Sequence, residues 1–104
     1  MNTSGLALKQ DELAIVEKIL RRYVPDREVW AFGSRTRPPC KPFSDLDLAI
    51  LGSEPLPLGV MVDLKDEFSE SDFPYRVDLV DWATTSEQFR GIIQASHIPL
   101  QHPA

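Results

Sequence analysis

Residues 28–51 read EVWAFGSRTRPPCKPFSDLDLAIL, and the fold is decided here. Glu28 to Phe32 is rich in strand-forming types and reads as a short strand. Gly33-Ser34 ends it. Residues 35 to 43 hold three prolines, two arginines and a lysine, which reads as a short helical turn followed by a loop. Ser44 to Leu51 reads as a second strand. Alternation puts Leu46, Leu48 and Ile50 on one face and Asp45, Asp47 and Ala49 on the other.

Outward from this stretch the chain alternates helices and strands. Upstream, Asp11 to Tyr23 has helical periodicity, with Leu13, Val16, Leu20 and Tyr23 recurring at steps of three and four. Pro25 marks its end. Downstream, Gly52 to Pro57 is a proline-punctuated loop. Leu58 to Ser69 is a second amphipathic helix with a Met61, Leu64, Phe68 stripe, and Pro74 ends that region. Arg76 to Trp82, RVDLVDW, is a third strand. Thr84 with Glu87 matches a capping box, so a last helix is expected from near residue 85, with Phe89, Ile92 and Ile93 on one side. The tail 97–104 carries two prolines and reads as irregular or as a short edge strand. The expected architecture is a single α/β (α+β) domain over residues 1–104: a small sheet of three to four strands covered by helices on one side.

Composition narrows the function classes. The chain has 104 residues, 42% hydrophobic and 26% charged, which fits an ordinary globular domain. A formal net charge of -5 argues against direct nucleic-acid binding, which needs a basic surface. A lone cysteine, Cys40, excludes an internal disulfide and a multi-cysteine zinc site. The N-terminus does not resemble a signal peptide and no apolar run is long enough to span a bilayer, so a cytoplasmic location is the default expectation.

The polar residues then point to chemistry. Asp45 and Asp47 leave one face of a strand and repel unless a cation or donor satisfies them. Mg²⁺ prefers oxygen ligands and is usually held by one or two carboxylates together with substrate phosphates. Paired ions about 3.5–4 Å apart clamp the attacking and leaving oxygens in two-metal phosphoryl chemistry. Asp78 is the best third carboxylate, because it faces away from Val77 and Leu79. Asp81 has the opposite parity and ranks lower. Gly33 permits a tight turn, and Ser34 can point its hydroxyl and N–H at a phosphate. Arg35 and Arg37 are either phosphate ligands or solvent-facing loop charges. Aspartate is depleted in strands, so two on one strand is a mild anomaly, although polar alternation alone commonly places one there.

Taken in order, a strand, Gly33-Ser34, ten residues, Asp45-Leu46-Asp47 on a strand, and a later acidic strand resemble a minimal nucleotidyltransferase of the DNA polymerase β superfamily. The resemblance runs from the first helix to about Ile93. It implies that Gly33 and Ser34 hold a nucleoside triphosphate, with Arg35 and Arg37 beside it. It implies that Asp45, Asp47 and Asp78 bind Mg²⁺, and that Asp78 serves as general base toward an acceptor hydroxyl. The implied reaction moves a nucleoside monophosphate, AMP from ATP, to that hydroxyl. Many minimal members are similar to antitoxins paired with HEPN-domain toxins, which they inactivate by adding AMP to a tyrosine or by contact. Two departures stand out: Thr36 and Pro38 occupy positions where the family often has alanine and glycine, and proline cannot adopt positive φ.

The remaining residues read more plainly. His97 and His102 lack a zinc ligand set, Cys40 is a loop thiol, and Trp30 and Trp82 read as core or interface anchors. Two alternatives share the motif: an antitoxin that neutralises its partner by contact alone, and a nucleotide-sensing subunit. The acceptor or target is expected from a partner protein or an oligomer, because so short a chain leaves little room for a second domain to bind it.

Overall fold

The computed structural model describes residues 5–103. In chain order the elements are α1 (Gln10–Tyr23), β1 (Val29–Phe32), a 3-10 turn (Ser34–Thr36), β2 (Leu46–Ile50), α2 (Leu58–Glu70), β3 (Val77–Asp81), a second 3-10 turn (Trp82–Thr84), α3 (Glu87–Ala95) and β4 (His97–Gln101). The strands form one mixed sheet in the order β3-β2-β1-β4. β1 runs antiparallel to both neighbours, and β2 runs parallel to β3. A parallel pair cannot be joined by a tight turn, and α2 supplies the crossover.

The two sheet faces have different cores. Leu46, Leu48 and Ile50 are fully buried with Val29 and Ala31 on one face, against Val16, Ile19 and Leu20 of α1 and Leu64 and Phe68 of α2. Full burial of each such aliphatic chain contributes about 1.5–3 kcal/mol. A smaller cluster on the opposite face joins Phe32, Ala49 and Ile93, with Trp30, Val80 and Trp82 packed around it. Helices therefore cover both faces, not one: α1 and α2 lie on the first, and α3 crosses the second. The reason is topological, since α3 must carry the chain from β3 at one edge to β4 at the other.

Other expectations are corrected locally. Of the two readings of the tail, irregular or edge strand, the edge strand holds through residue 101: His97 to Gln101 pairs with β1, while Ala104 lies outside the described residues. Gln101 holds the strand in place, its amide donating to the carbonyls of Val24 at 2.9 Å and Arg27 at 3.0 Å. The cap of α3 is Ser86, whose hydroxyl accepts from Phe89 N–H at 3.2 Å. Thr84 instead closes the preceding 3-10 turn onto Asp81 O. Of the three apolar residues on α3, Ile93 alone is buried; Phe89 and Ile92 are exposed. The second strand is also shorter than expected and leaves Asp45 outside it.

Replacing Ser86 by alanine should lower unfolding stability by about 1 kcal/mol in urea titrations. Thr84→Ala should change it by less than half as much, since its exposed hydroxyl bond is replaced by water.

Candidate active site

Two backbone features bring the polar residues together. The first is the end of β1. Gly33 adopts φ 79°, ψ -159°, a conformation that side chains with a Cβ rarely adopt. A Cβ there would also overlap Asp47 Oδ2. The glycine is thus required twice, by the turn and by the carboxylate packed over it. Thr36 closes the turn, its N–H and hydroxyl both donating to Gly33 O at 3.1 and 2.6 Å. Ser34 is exposed at the start of the turn.

The second feature is the parallel register of β2 and β3, which places Asp47 directly beside Asp78. Phe32 stands on the other side of Asp47, in register across the antiparallel β1 pair. Asp45 lies one residue before β2. Burial, then the charges of Asp78 and Asp45, push the Asp47 carboxyl from 3.8 up to about 6. Asp78 and Asp45 therefore both act electrostatically on Asp47. Asp78 is half-exposed and, among the described residues, its side chain makes only a surface ion pair with Arg76, at 3.6 Å, so it is open to solvent and ligand.

A carboxylate raised first by burial and then by two neighbouring carboxylates fits a cation. Among the described residues, no group of three His, Cys, Asp or Glu side chains stands ready to hold a metal ion. Mg²⁺ needs no closed protein cage, because phosphate oxygens and water commonly complete its shell. The donor set therefore fits Mg²⁺ carried with a phosphorylated substrate better than a resident structural ion.

The flanking residues divide. Arg37 is exposed beyond the turn, within the loop that leads to Asp45. Arg35 is not a surface nucleotide ligand as expected. It is 3% exposed, and its guanidinium donates to the carbonyls of Ser44 (2.8 Å), Ala7 (2.8 Å) and Pro42 (2.9 Å). Its donors are turned inward because the 3-10 turn points the side chain under the loop. Asp81 accepts from Leu56 N–H at 2.9 Å and Ala83 N–H at 3.3 Å, so it holds the strand end rather than the site. His97 stacks on Trp30 with centroids 3.8 Å apart, and Trp82 meets Trp30 edge-on at 5.4 Å. Three residues were not foreseen: Tyr75, whose ring centroid lies 3.6 Å from the Arg35 guanidinium carbon, and Phe32 and Phe89, which meet edge-on with centroids 5.8 Å apart beside Asp47. No spacing rule marks Tyr75, although an aromatic just before an acidic strand was the available hint.

The family model described as "Polymerase beta, Nucleotidyltransferase" matches residues 15–101. The chain belongs to the polymerase beta nucleotidyltransferase family. Within it, a relative from Haemophilus influenzae named "Probable protein adenylyltransferase MntA" is 56% identical over 96 residues, spanning 92% of this chain and 84% of that protein. The polymerase beta fold is shared with two solved structures at 24% identity. One, a toxin-antitoxin crystal structure with AMP-PNP, has a TM-score of 0.73 and covers 86% of this chain and 73% of that one. The other, the tri-AMPylated Shewanella oneidensis HEPN toxin in complex with MNT antitoxin, has a TM-score of 0.70 and covers 91% and 73%.

The raised Asp47 value has a thermodynamic consequence for this nucleotidyltransferase without metal. Its folded-state pKa lies above the unfolded one, so ionising Asp47 favours unfolding. Below about pH 4 both states are protonated and the site costs nothing; above about pH 6 the whole penalty stands. Metal-free protein should lose stability as pH rises through that window. Solvent screening of this half-exposed group holds the loss to about 1 kcal/mol or less. Asp47→Asn should therefore raise the metal-free Tm at pH 7.5 by about 2–6 °C, while Gly33→Ala should lower it, both read by scanning calorimetry.

Proposed function

We propose that the chain is a Mg²⁺-dependent protein adenylyltransferase that moves AMP from ATP to a tyrosine hydroxyl of a HEPN-type toxin, and so acts as its antitoxin. The observation that carries this reading is the juxtaposition of Asp47 and Asp78 in parallel register, with Asp45 charge-coupled to Asp47, beside the Gly33-Ser34 turn. The name of the Haemophilus influenzae relative and the AMPylated toxin complex of matching fold support the acceptor and the transferred group.

In this reading Gly33 and Ser34 receive the triphosphate. The missing Cβ lets phosphate oxygens approach the backbone, and the exposed serine offers its hydroxyl and N–H. Exposed Arg37 adds a cation at the mouth of the turn. Asp45 and Asp47, with Asp78, would hold Mg²⁺, which when bound neutralises phosphate charge and orients the phosphoryl group. Asp78 takes the proton from the acceptor hydroxyl. The acceptor oxygen bonds to the α-phosphorus, the bond from that phosphorus to the bridging oxygen breaks, and pyrophosphate leaves.

The test is incubation of the protein with α-labelled ATP, Mg²⁺ and the candidate toxin. Label should appear on a toxin tyrosine. Asp45→Asn and Asp47→Asn should each cut transfer by at least about a hundredfold, with circular dichroism unchanged. Absence of label with folded protein and saturating metal would sink the enzymatic reading. A double Asp45/Asp47 variant that still neutralises the toxin would establish neutralisation by contact instead.

A further inference from the structure

Asp45 is the one carboxylate of the three that the sheet does not hold. β2 begins at Leu46, so Asp45 has no ladder partner in the strand register. A strand would fix its direction; a loop residue needs another device. The structure supplies one from both sides. The peptide plane before Asp45 carries the Ser44 carbonyl, which accepts from Arg35 Nε–H at 2.8 Å. The plane after it carries the Leu46 N–H, which donates to Arg76 O at 2.9 Å. Tyr75, the neighbour of Arg76, lays its ring against the Arg35 guanidinium. The contacts close a ring that runs Arg35, Ser44, Asp45, Leu46, Arg76, Tyr75 and back to Arg35.

We infer that Arg35 and Tyr75 are positioning residues that fix the backbone of Asp45 and thereby set the metal affinity of the site; this rests on the reading of Asp45 as a metal ligand. Burial argues for a dedicated role. An arginine at 3% exposure loses its hydration, and among the described residues it makes no ion pair. Its compensation comes from three carbonyls and an aromatic face on three segments: Ala7, the loop end at Pro42 and Ser44, and Tyr75. The planar fork suits this use because its donors diverge in set directions. The Ala7 bond is matched by Ala7 N–H donating to Arg35 O at 2.7 Å, so the same residue fastens the segment before α1 to the Gly33 turn. A lysine keeps the charge but presents its donors from a single atom, so it cannot reproduce the fork.

The experiment compares wild type with Arg35→Lys, Tyr75→Leu and Asp45→Asn, all metal-free at the start. Mn²⁺ binding is measured by electron paramagnetic resonance with a non-hydrolysable ATP analogue at saturation, metal-free ATP binding by calorimetry, and the Leu46 amide by hydrogen exchange. Partners that orient a metal ligand typically matter about 10–100-fold. Folded Arg35→Lys and Tyr75→Leu should each weaken Mn²⁺ by about tenfold, speed Leu46 exchange by a similar factor, and leave metal-free ATP binding within about twofold. Either folded variant with wild-type Mn²⁺ affinity and Leu46 protection overturns the inference, as a role in global stability alone would give. Loss of metal-free ATP binding in Arg35→Lys also overturns it, in favour of direct nucleotide contact. If Asp45→Asn binds Mn²⁺ as wild type does, the metal reading of Asp45 fails and the inferred control of metal affinity falls with it. If one variant does not fold, the other decides, since each removes a different side of the ring.

Discussion

The site depends on one constraint, the parallel pairing of β2 with β3 that sets Asp47 against Asp78. Two adjacent carboxylates in a sheet are an electrostatic liability: burial, and after it the charges of Asp78 and Asp45, push Asp47 up to about 6. The liability is held in place by the opposite face. Leu46 and Leu48, the residues flanking Asp47, are fully buried, and slipping the register by one residue would expose them while burying the acids. The apolar core thus enforces a charge arrangement that the charges themselves disfavour. A local penalty borne by the whole fold is characteristic of sites that wait for a ligand.

The same constraint explains how the faces divide. α1 and α2 seal the face that carries Leu46, Leu48 and Ile50. α3 reaches only part of the other face, where Ile93 covers Phe32 and Ala49. Asp47 and Asp78 stand in the next positions along that face, beyond Phe32. The Phe32 and Phe89 pair therefore forms a wall between the packed half and the acidic half. Low polarity on one side and open solvent on the other is the setting in which burial dominates the Asp47 shift while ligand access remains.

Much of this was legible in the sequence, and the failures have physical causes. Strand alternation placed Leu46, Leu48 and Ile50 in the core and Asp47 opposite them, because a period of two admits no other solution when one face is buried. It also separated Asp78 from Asp81, and Asp81 proves to be occupied with backbone amides. Alternation is blind to where hydrogen bonding stops, so it carried the strand through Asp45. Arginine was misjudged for a related reason. Composition treats Arg35 as a surface cation, and only the direction of a 3-10 turn reveals that its donors face inward. Coverage of the second face by α3 was missed because it follows from strand order, which no local pattern encodes.

The departures at Thr36 and Pro38 acquire a meaning from the same geometry. Glycine is needed where φ is positive, and that requirement falls on Gly33, inside the turn; none of the described non-glycine residues has positive φ. Proline at 38 sits past the turn, in an exposed loop where a fixed φ near its usual value is tolerated. Threonine at 36 replaces a methyl with a group that adds a second bond to Gly33 O. The loop can therefore be rich in proline without disturbing the acids. Its far end is fixed from beneath by Arg35, through Pro42 and Ser44, and by its own turn, in which Ser44 N–H donates to Lys41 O at 3.1 Å. The loop between Ser34 and Asp45 is thus tied at its far end to one buried guanidinium, through the two carbonyls that return to it.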